Sequence, residues 1–150
     1  MKMRLLPFVL AGGLALRAAA QHPEEAAVRA TIDRLFEGMK KGDSSLVRGV
    51  FHPTARLQTA YVNREGKPAL QSEPIDAFVK AVGTPHKEVW DERVSDYAIR
   101  IDDNLATAWT PYEFYLDGKY LHEGVNSFQL FHSPQGWKII QICDTRRRKK

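Results

Sequence analysis

The sequence predicts an α+β domain in which helices, placed first, cover one face of a strongly curved, mostly antiparallel sheet. Three observations carry this. A helical apolar stripe opens the chain after residue 21, aromatic-rich strand-like segments fill the second half, and turn dipeptides punctuate those segments. At 150 residues, with 43% hydrophobic and 27% charged side chains, the balance is that of one globular domain.

Residues 1–20 stand apart. Lys2 and Arg4 precede an apolar or small run from Leu5 to Leu16, and Ala18-Ala19-Ala20 offers the small residues of a cleavage site. The run is too short to cross a bilayer as a helix. Residues 1–20 are therefore expected to be a removed signal peptide, with Gln21 as the mature start and the protein exported, periplasmic or secreted. A lipid anchor would need a cysteine after cleavage, and residue 21 is Gln, so no stable membrane anchor is expected.

Charge follows from this. The chain holds 22 basic and 18 acidic side chains. Without Lys2, Arg4 and Arg17 the balance is 19 to 18, a net +1. Without the five-residue basic tail 146–150 it is 14 to 18, a net −4. A general nucleic-acid surface is not supported. Cys143 is the single cysteine, which excludes an internal disulfide and a four-cysteine zinc site.

From residue 21 to 145 the elements follow in order. Val28, Ile32, Leu35, Phe36 and Met39 form one stripe of a helix over 24–41, with Glu24 and Glu25 at its positive end, Lys40 and Lys41 at its negative end, and Gly42 as its C-terminal cap. Asp43 or Ser44 caps a short helix through Val50 that buries Leu46, Val47 and Phe51, and His52-Pro53 ends it. Ala55–Val62 reads as a strand, Asn63-Arg64-Glu65-Gly66 as a turn, and Pro74–Val82 as a third helix stopped by Gly83. Lys87–Ile101 is a long strand whose phase slips near Ser95, the mark of a bulge. Leu105–Leu116 and Lys119–His132 flank Asp117-Gly118, a strong hairpin signal, and Trp137–Thr145 closes the meander after Ser133-Pro134-Gln135-Gly136.

The hairpin suggests a register. A two-residue loop sets Leu116 opposite Lys119, Tyr115 opposite Tyr120, Phe114 opposite Leu121 and Glu113 opposite His122. One face then carries Trp109, Glu113, Tyr115, Tyr120, His122, Asn126, Phe128 and Leu130; the other carries Tyr112, Phe114, Leu121, Val125, Gln129 and Phe131. Both are aromatic, so one packs on the helices and the other is expected to pack on a second copy, as a homodimer. Glu113 beside His122 would orient an imidazole for acid–base work; the alternative is a cross-strand ion pair that only supports the sheet. Asn126 lies among aromatics and needs polar partners if buried. No histidine pair has zinc-ligand spacing, and no phosphate loop, dinucleotide fingerprint or serine elbow occurs, so neither metal nor cofactor is expected. Cys143 reads as a buried small apolar residue of a strand rather than a nucleophile, and Asp144, on the opposite parity, as a partner for Arg146 or a cap of the last strand.

Gly42-Asp43-Ser44-Ser45-Leu46, Phe51-His52-Pro53-Thr54-Ala55, Asp102-Asp103-Asn104-Leu105-Ala106-Thr107-Ala108-Trp109 and Gly136-Trp137-Lys138-Ile139 occur in an order that resembles the NTF2-like superfamily. This is the α+β cone of nuclear transport factor 2, ketosteroid isomerase, scytalone dehydratase and SnoaL-like polyketide cyclases. Tyr112-Glu113-Phe114-Tyr115, the run His122 to Leu130 and Asp144-Thr145-Arg146-Arg147 look more narrowly like the small proteins named "putative lumazine-binding". The resemblance implies a conical pocket between sheet and helices and a homodimer. The enzymes' residues do not carry over. The 24–41 helix lacks the isomerase tyrosine, and His122, Glu113 and Tyr61 are only a loose analogue of the dehydratase's histidine, aspartate and tyrosines.

The expected function is an exported NTF2-like domain that encloses a small, partly aromatic ligand, with Trp109, Tyr115, His122, Asn126 and Trp90 lining the cavity. One alternative is a cofactor-independent dehydratase, isomerase or cyclase, with His122 as acid–base residue and Glu113 as its orienter. Another is a protein-docking module that uses the second sheet face.

Overall fold

The computed structural model describes residues 23–148. The expected signal peptide over 1–20, the expected start at Gln21 and the last two residues of the tail lie outside them.

Helix α1 (Glu25–Lys41) buries the whole expected stripe, Val28, Ile32, Leu35, Phe36 and Met39, and Gly42 caps it in the left-handed region at φ 66°. Asp43 caps α2 (Ser44–Val50), its carboxylate accepting from the Leu46 N–H at 2.9 Å. Val47 and Phe51 are buried as expected, while Leu46 is half-buried. The third helix, α3, spans Ile75–Gly83 with Pro74 before it, and turns Ile75, Val79 and Val82 inward.

Seven strands form one mixed sheet: β1 (Phe51–Val62), β2 (Pro68–Pro74), β3 (Trp90–Val94), β4 (Ala98–Asp102), β5 (Leu105–Leu116), β6 (Lys119–Ser133) and β7 (Gly136–Arg146). The order is β2-β1-β7-β6-β5-β3, with β4 also on β5. All pairs are antiparallel except β1 with β7. Extra residues in several ladders curve the sheet around the helices; one is Ile140, between Gln141, opposite Gln129, and Ile139, opposite Leu130. Phe36 meets Phe128 edge-on at 6.2 Å across the helix–sheet core, while Ala106 and Ala108 leave room for α1.

Several boundaries differ from the sequence reading. The first strand begins at Phe51, not Ala55; Pro53 falls where the β1–β7 ladder is interrupted, so its missing N–H costs nothing there. Strand β2 had no signal, because it is a polar, exposed edge strand flanked by prolines and held by pairing with β1. The single strand over 87–101 is two. Ser95, Asp96 and Tyr97 stand against Thr110 and Pro111, Asp96 takes φ 48°, and Pro111 offers no N–H, so the expected bulge widens into a break. The basic tail begins inside the sheet: Arg146 ends β7, and Arg147 exchanges backbone hydrogen bonds with Glu123 at 2.9 and 3.0 Å.

The hairpin turn forms as expected, with Asp117 at φ 51° and Gly118 at φ 73°. The register beyond it is corrected. Leu121 is an extra residue, so Phe114 faces His122, Glu113 faces Glu123, Pro111 faces Val125 and Trp109 faces Ser127. From His122 onward the expected faces therefore exchange relative to β5. Tyr112 and Phe114 share the concave face with His122, Asn126, Phe128 and Leu130; Trp109, Glu113 and Tyr115 lie on the other.

Candidate functional site

The curved sheet and the helices enclose a cavity of about 430 Å³. Leu35, Phe36 and Met39 of α1, Phe78 of α3, and Trp90, Phe114 and Ile142 of the sheet make its apolar walls. Glu92, His122, Asn126 and Asp144 supply polar groups. Strand parity places them there: Glu92 shares a face with Trp90 and opposes Phe114, Asn126 opposes Asp144, and Asp144 is in phase with Ile142.

These groups are tied together. The Asn126 amide donates to Glu92 Oε1 at 2.8 Å. Asp144 accepts from the Thr59 hydroxyl at 2.5 Å and from the Tyr112 hydroxyl at 2.9 Å. Tyr112 also lies 3.0 Å from the Thr145 carbonyl oxygen, and Arg146 approaches Asp144 at 3.8 Å. Thr110, Asn126, Asp144 and Thr59 thus form one polar row across β5, β6, β7 and β1. Thr110, fully buried, leaves its hydroxyl without a hydrogen bond among the described residues. His122 is 8% exposed and stacks on Phe114 with ring centres 4.9 Å apart, and neither ring nitrogen is hydrogen-bonded among the described residues.

The environment sets the protonation. Burial pushes the Glu92 carboxyl up to about 7, with Asp144 adding to the rise while Asn126 and Arg146 oppose it. Burial, then the charge of Arg146, pulls His122 down to about 4. At neutral pH the cavity therefore holds a neutral imidazole and a carboxyl close to half-protonation. Burial also raises the Tyr112 hydroxyl and the half-buried Cys143 thiol, so Cys143 is no thiolate at neutral pH.

Of the expected site residues, His122, Asn126 and Trp90 meet in the cavity. Trp109 and Tyr115 do not line it. Trp109 is 53% exposed on the convex face, and the Tyr115 hydroxyl donates to Glu113 at 2.7 Å while Arg93 covers its ring. The Glu113–His122 pair is not formed, because the Leu121 bulge puts the two on opposite faces. Sequence reasoning missed Glu92 as a carboxyl group of the cavity. Its signal was an acid in phase with Trp90 and Val94 on a short strand. Asp144 pairs with Arg146 as expected but also anchors the polar row. No group of three or more histidine, cysteine or acidic side chains converges as a metal site among the described residues.

A family model described as "Putative lumazine-binding" matches residues 23–142. The chain belongs to this NTF2-like family. No curated protein sequence matches it. Among solved structures, an NTF2-like protein from Cytophaga hutchinsonii is 14% identical with a TM-score of 0.67, over 84% of this chain and 100% of that one. An NTF2-like protein of unknown function from Shewanella baltica is 18% identical with a TM-score of 0.61, over 84% and 95%. An NTF2-like superfamily protein from Salmonella enterica is 17% identical with a TM-score of 0.60, over 83% and 92%. At such identities the likeness establishes the NTF2-like fold and nothing of the chemistry.

Proposed function

We propose that this NTF2-like protein is exported and binds a small, partly aromatic ligand in the cavity between sheet and helices. The observation that carries the reading is the meeting of Glu92, His122, Asn126 and Asp144 inside otherwise apolar walls. The volume of about 430 Å³ suits a bicyclic ring with one or two substituents. Trp90 and Phe114 offer faces for stacking, and Glu92 with Asn126 offers a donor and acceptor edge. The family's name makes lumazine the first compound to try. Thermal denaturation against bicyclic heteroaromatic compounds, lumazine included, tests this. Wild type should melt higher with at least one of them, and Asn126→Leu should weaken that binding about tenfold or more. No shift with any compound would refute the reading.

Glu92 also favours a second reading, a cofactor-independent dehydratase, isomerase or cyclase. A carboxyl with a pKa of about 7 can both take and give a proton at neutral pH. Glu92 takes the acid–base role expected of His122, Asn126 takes the orienting place expected of Glu113, and His122 lines the same cavity as a neutral imidazole. In this reading Glu92→Gln lowers turnover about 10²-fold or more and leaves binding intact; equal turnover would remove the assignment.

Export rests on the charged, apolar and small-residue order of residues 1–20, and N-terminal sequencing of the secreted or periplasmic protein should begin at Gln21. The convex face supports a homodimer, because Leu105, Trp109 and Phe131 are exposed there. A monomer in light scattering would leave that face to a different protein.

A further inference from the structure

Beside the cavity lies a depression with a strong positive bias. Arg64, Arg146, Arg147 and Arg148 line it, and no acidic side chain does. His122, Thr59, Leu121 and Arg146 line both spaces, so the two adjoin. The bias runs against residues 21–145 as a whole, which carry 18 acidic and 14 basic side chains.

Two of the arginines are positioned by the sheet, while Arg64 stands in the β1–β2 turn that the Asn63 side chain ties together and Arg148 directly follows the paired Arg147. Arg146 belongs to β7, and the backbone of Arg147 is fixed by its paired bonds to Glu123. Two of the four have carboxylate partners, Arg146 with Asp144 and Arg147 with Glu123 at 3.4 Å. Arg64 and Arg148 form no ion pair among the described residues, and both side chains are exposed at the rim. Their charge has nowhere to go within the described domain. The positive field also reaches inward, since Arg146 and Arg148 both disfavour the imidazolium of His122.

We propose that the ligand of this cavity is an anion, with its apolar, ring-containing body inside and a carboxylate, phosphate or sulfonate held at the rim by Arg64 and Arg148, backed by Arg146 and Arg147. The inference rests on the ligand-binding reading above and adds the charge of the ligand and its orientation. Guanidinium groups suit this task, because their planar donors match the oxygens of such groups. Glu92 and Asn126, which line the cavity and not the depression, then read the uncharged edge of the ring.

Two dyes with one aromatic body separate charge from shape. Anilinonaphthalene sulfonate carries an anionic group; N-phenylnaphthylamine is its neutral counterpart. Fluorescence titration of the mature protein should give about tenfold tighter binding of the sulfonate at low salt, a preference that shrinks as salt rises. Arg64→Gln combined with Arg148→Gln should remove most of that preference and leave the neutral dye unchanged. Both substitutions are at exposed positions and spare the pairs with Asp144 and Glu123, so the fold should stand. Equal affinities in wild type, or a preference that survives the double substitution, would overturn the proposal while binding of the neutral dye kept the cavity reading. If neither dye bound, both readings would fall.

Discussion

Glu92 and His122 make opposite demands on stability as pH changes, and replacing one at a time should expose the other. Between pH 4.5 and 7 the Glu92 carboxyl is ionised in the unfolded chain and largely protonated in the fold, so the fold binds more protons and its stability falls as pH rises. Between pH 4 and 6.5 His122 is protonated in the unfolded chain and neutral in the fold, so stability rises with pH. Each gap corresponds to on the order of 3 kcal/mol, and in the wild type the two slopes largely cancel over the shared window. Glu92→Gln keeps an acceptor for Asn126 but cannot ionise. Its advantage over wild type should be near zero at about pH 4.5 and grow to on the order of 3 kcal/mol at about pH 8, or about 10 °C in melting temperature. His122→Phe keeps the stack on Phe114, and its gain over wild type should appear at about pH 4 and vanish by about pH 7. Urea denaturation or calorimetry across this range reads both. A Glu92→Gln difference that stays the same from pH 4.5 to 8 would refute the account of the buried carboxyl.

Three other outcomes are expected. Gly124→Ala should cost about 3 kcal/mol or more and yield little soluble protein, because a Cβ there would lie 1.8 Å from the Thr145 carbonyl oxygen and 2.7 Å from the Tyr112 ring. Thr110→Val should raise stability by about 1 kcal/mol in urea denaturation, since it replaces a buried hydroxyl without a hydrogen bond by a methyl group. Trp109→Glu should convert the proposed dimer to a monomer in size-exclusion chromatography with light scattering, without lowering the melting temperature of the monomer.

The fold was legible wherever a local signal and the tertiary demand coincide. The stripe from Val28 to Met39, the Gly42 cap, the Asp43 cap and the Asp117-Gly118 turn each state their geometry within a few residues. Strand β2 was not legible, because its polar, proline-flanked sequence becomes a strand only through pairing with β1. The site was legible in part. His122, Asn126 and Trp90 reach the cavity by strand parity. Trp109, Tyr115 and Glu113 were assigned to it by carrying the hairpin register past Leu121, where one extra residue exchanges the faces. A bulge of this kind leaves no mark in composition, since the segment alternates plausibly in either register. Glu92 was missed because an isolated acid on a short strand usually faces water, and only the curved sheet with Asn126 beside it draws this one inward.

Fluorine NMR of the protein labelled with fluorotryptophan tests the central claim most directly, because each of the three tryptophans reports on a different region. Trp90 lines the cavity, Trp109 lies on the convex face, and Trp137 is buried beneath Glu24, to which its indole N–H donates at 3.1 Å. Titration with lumazine and with N-phenylnaphthylamine should shift the Trp90 resonance saturably with at least one of them and leave Trp109 and Trp137 in place. A Trp90 signal unmoved by both, or a response confined to Trp109, would contradict a ligand-binding cavity between the sheet and the helices.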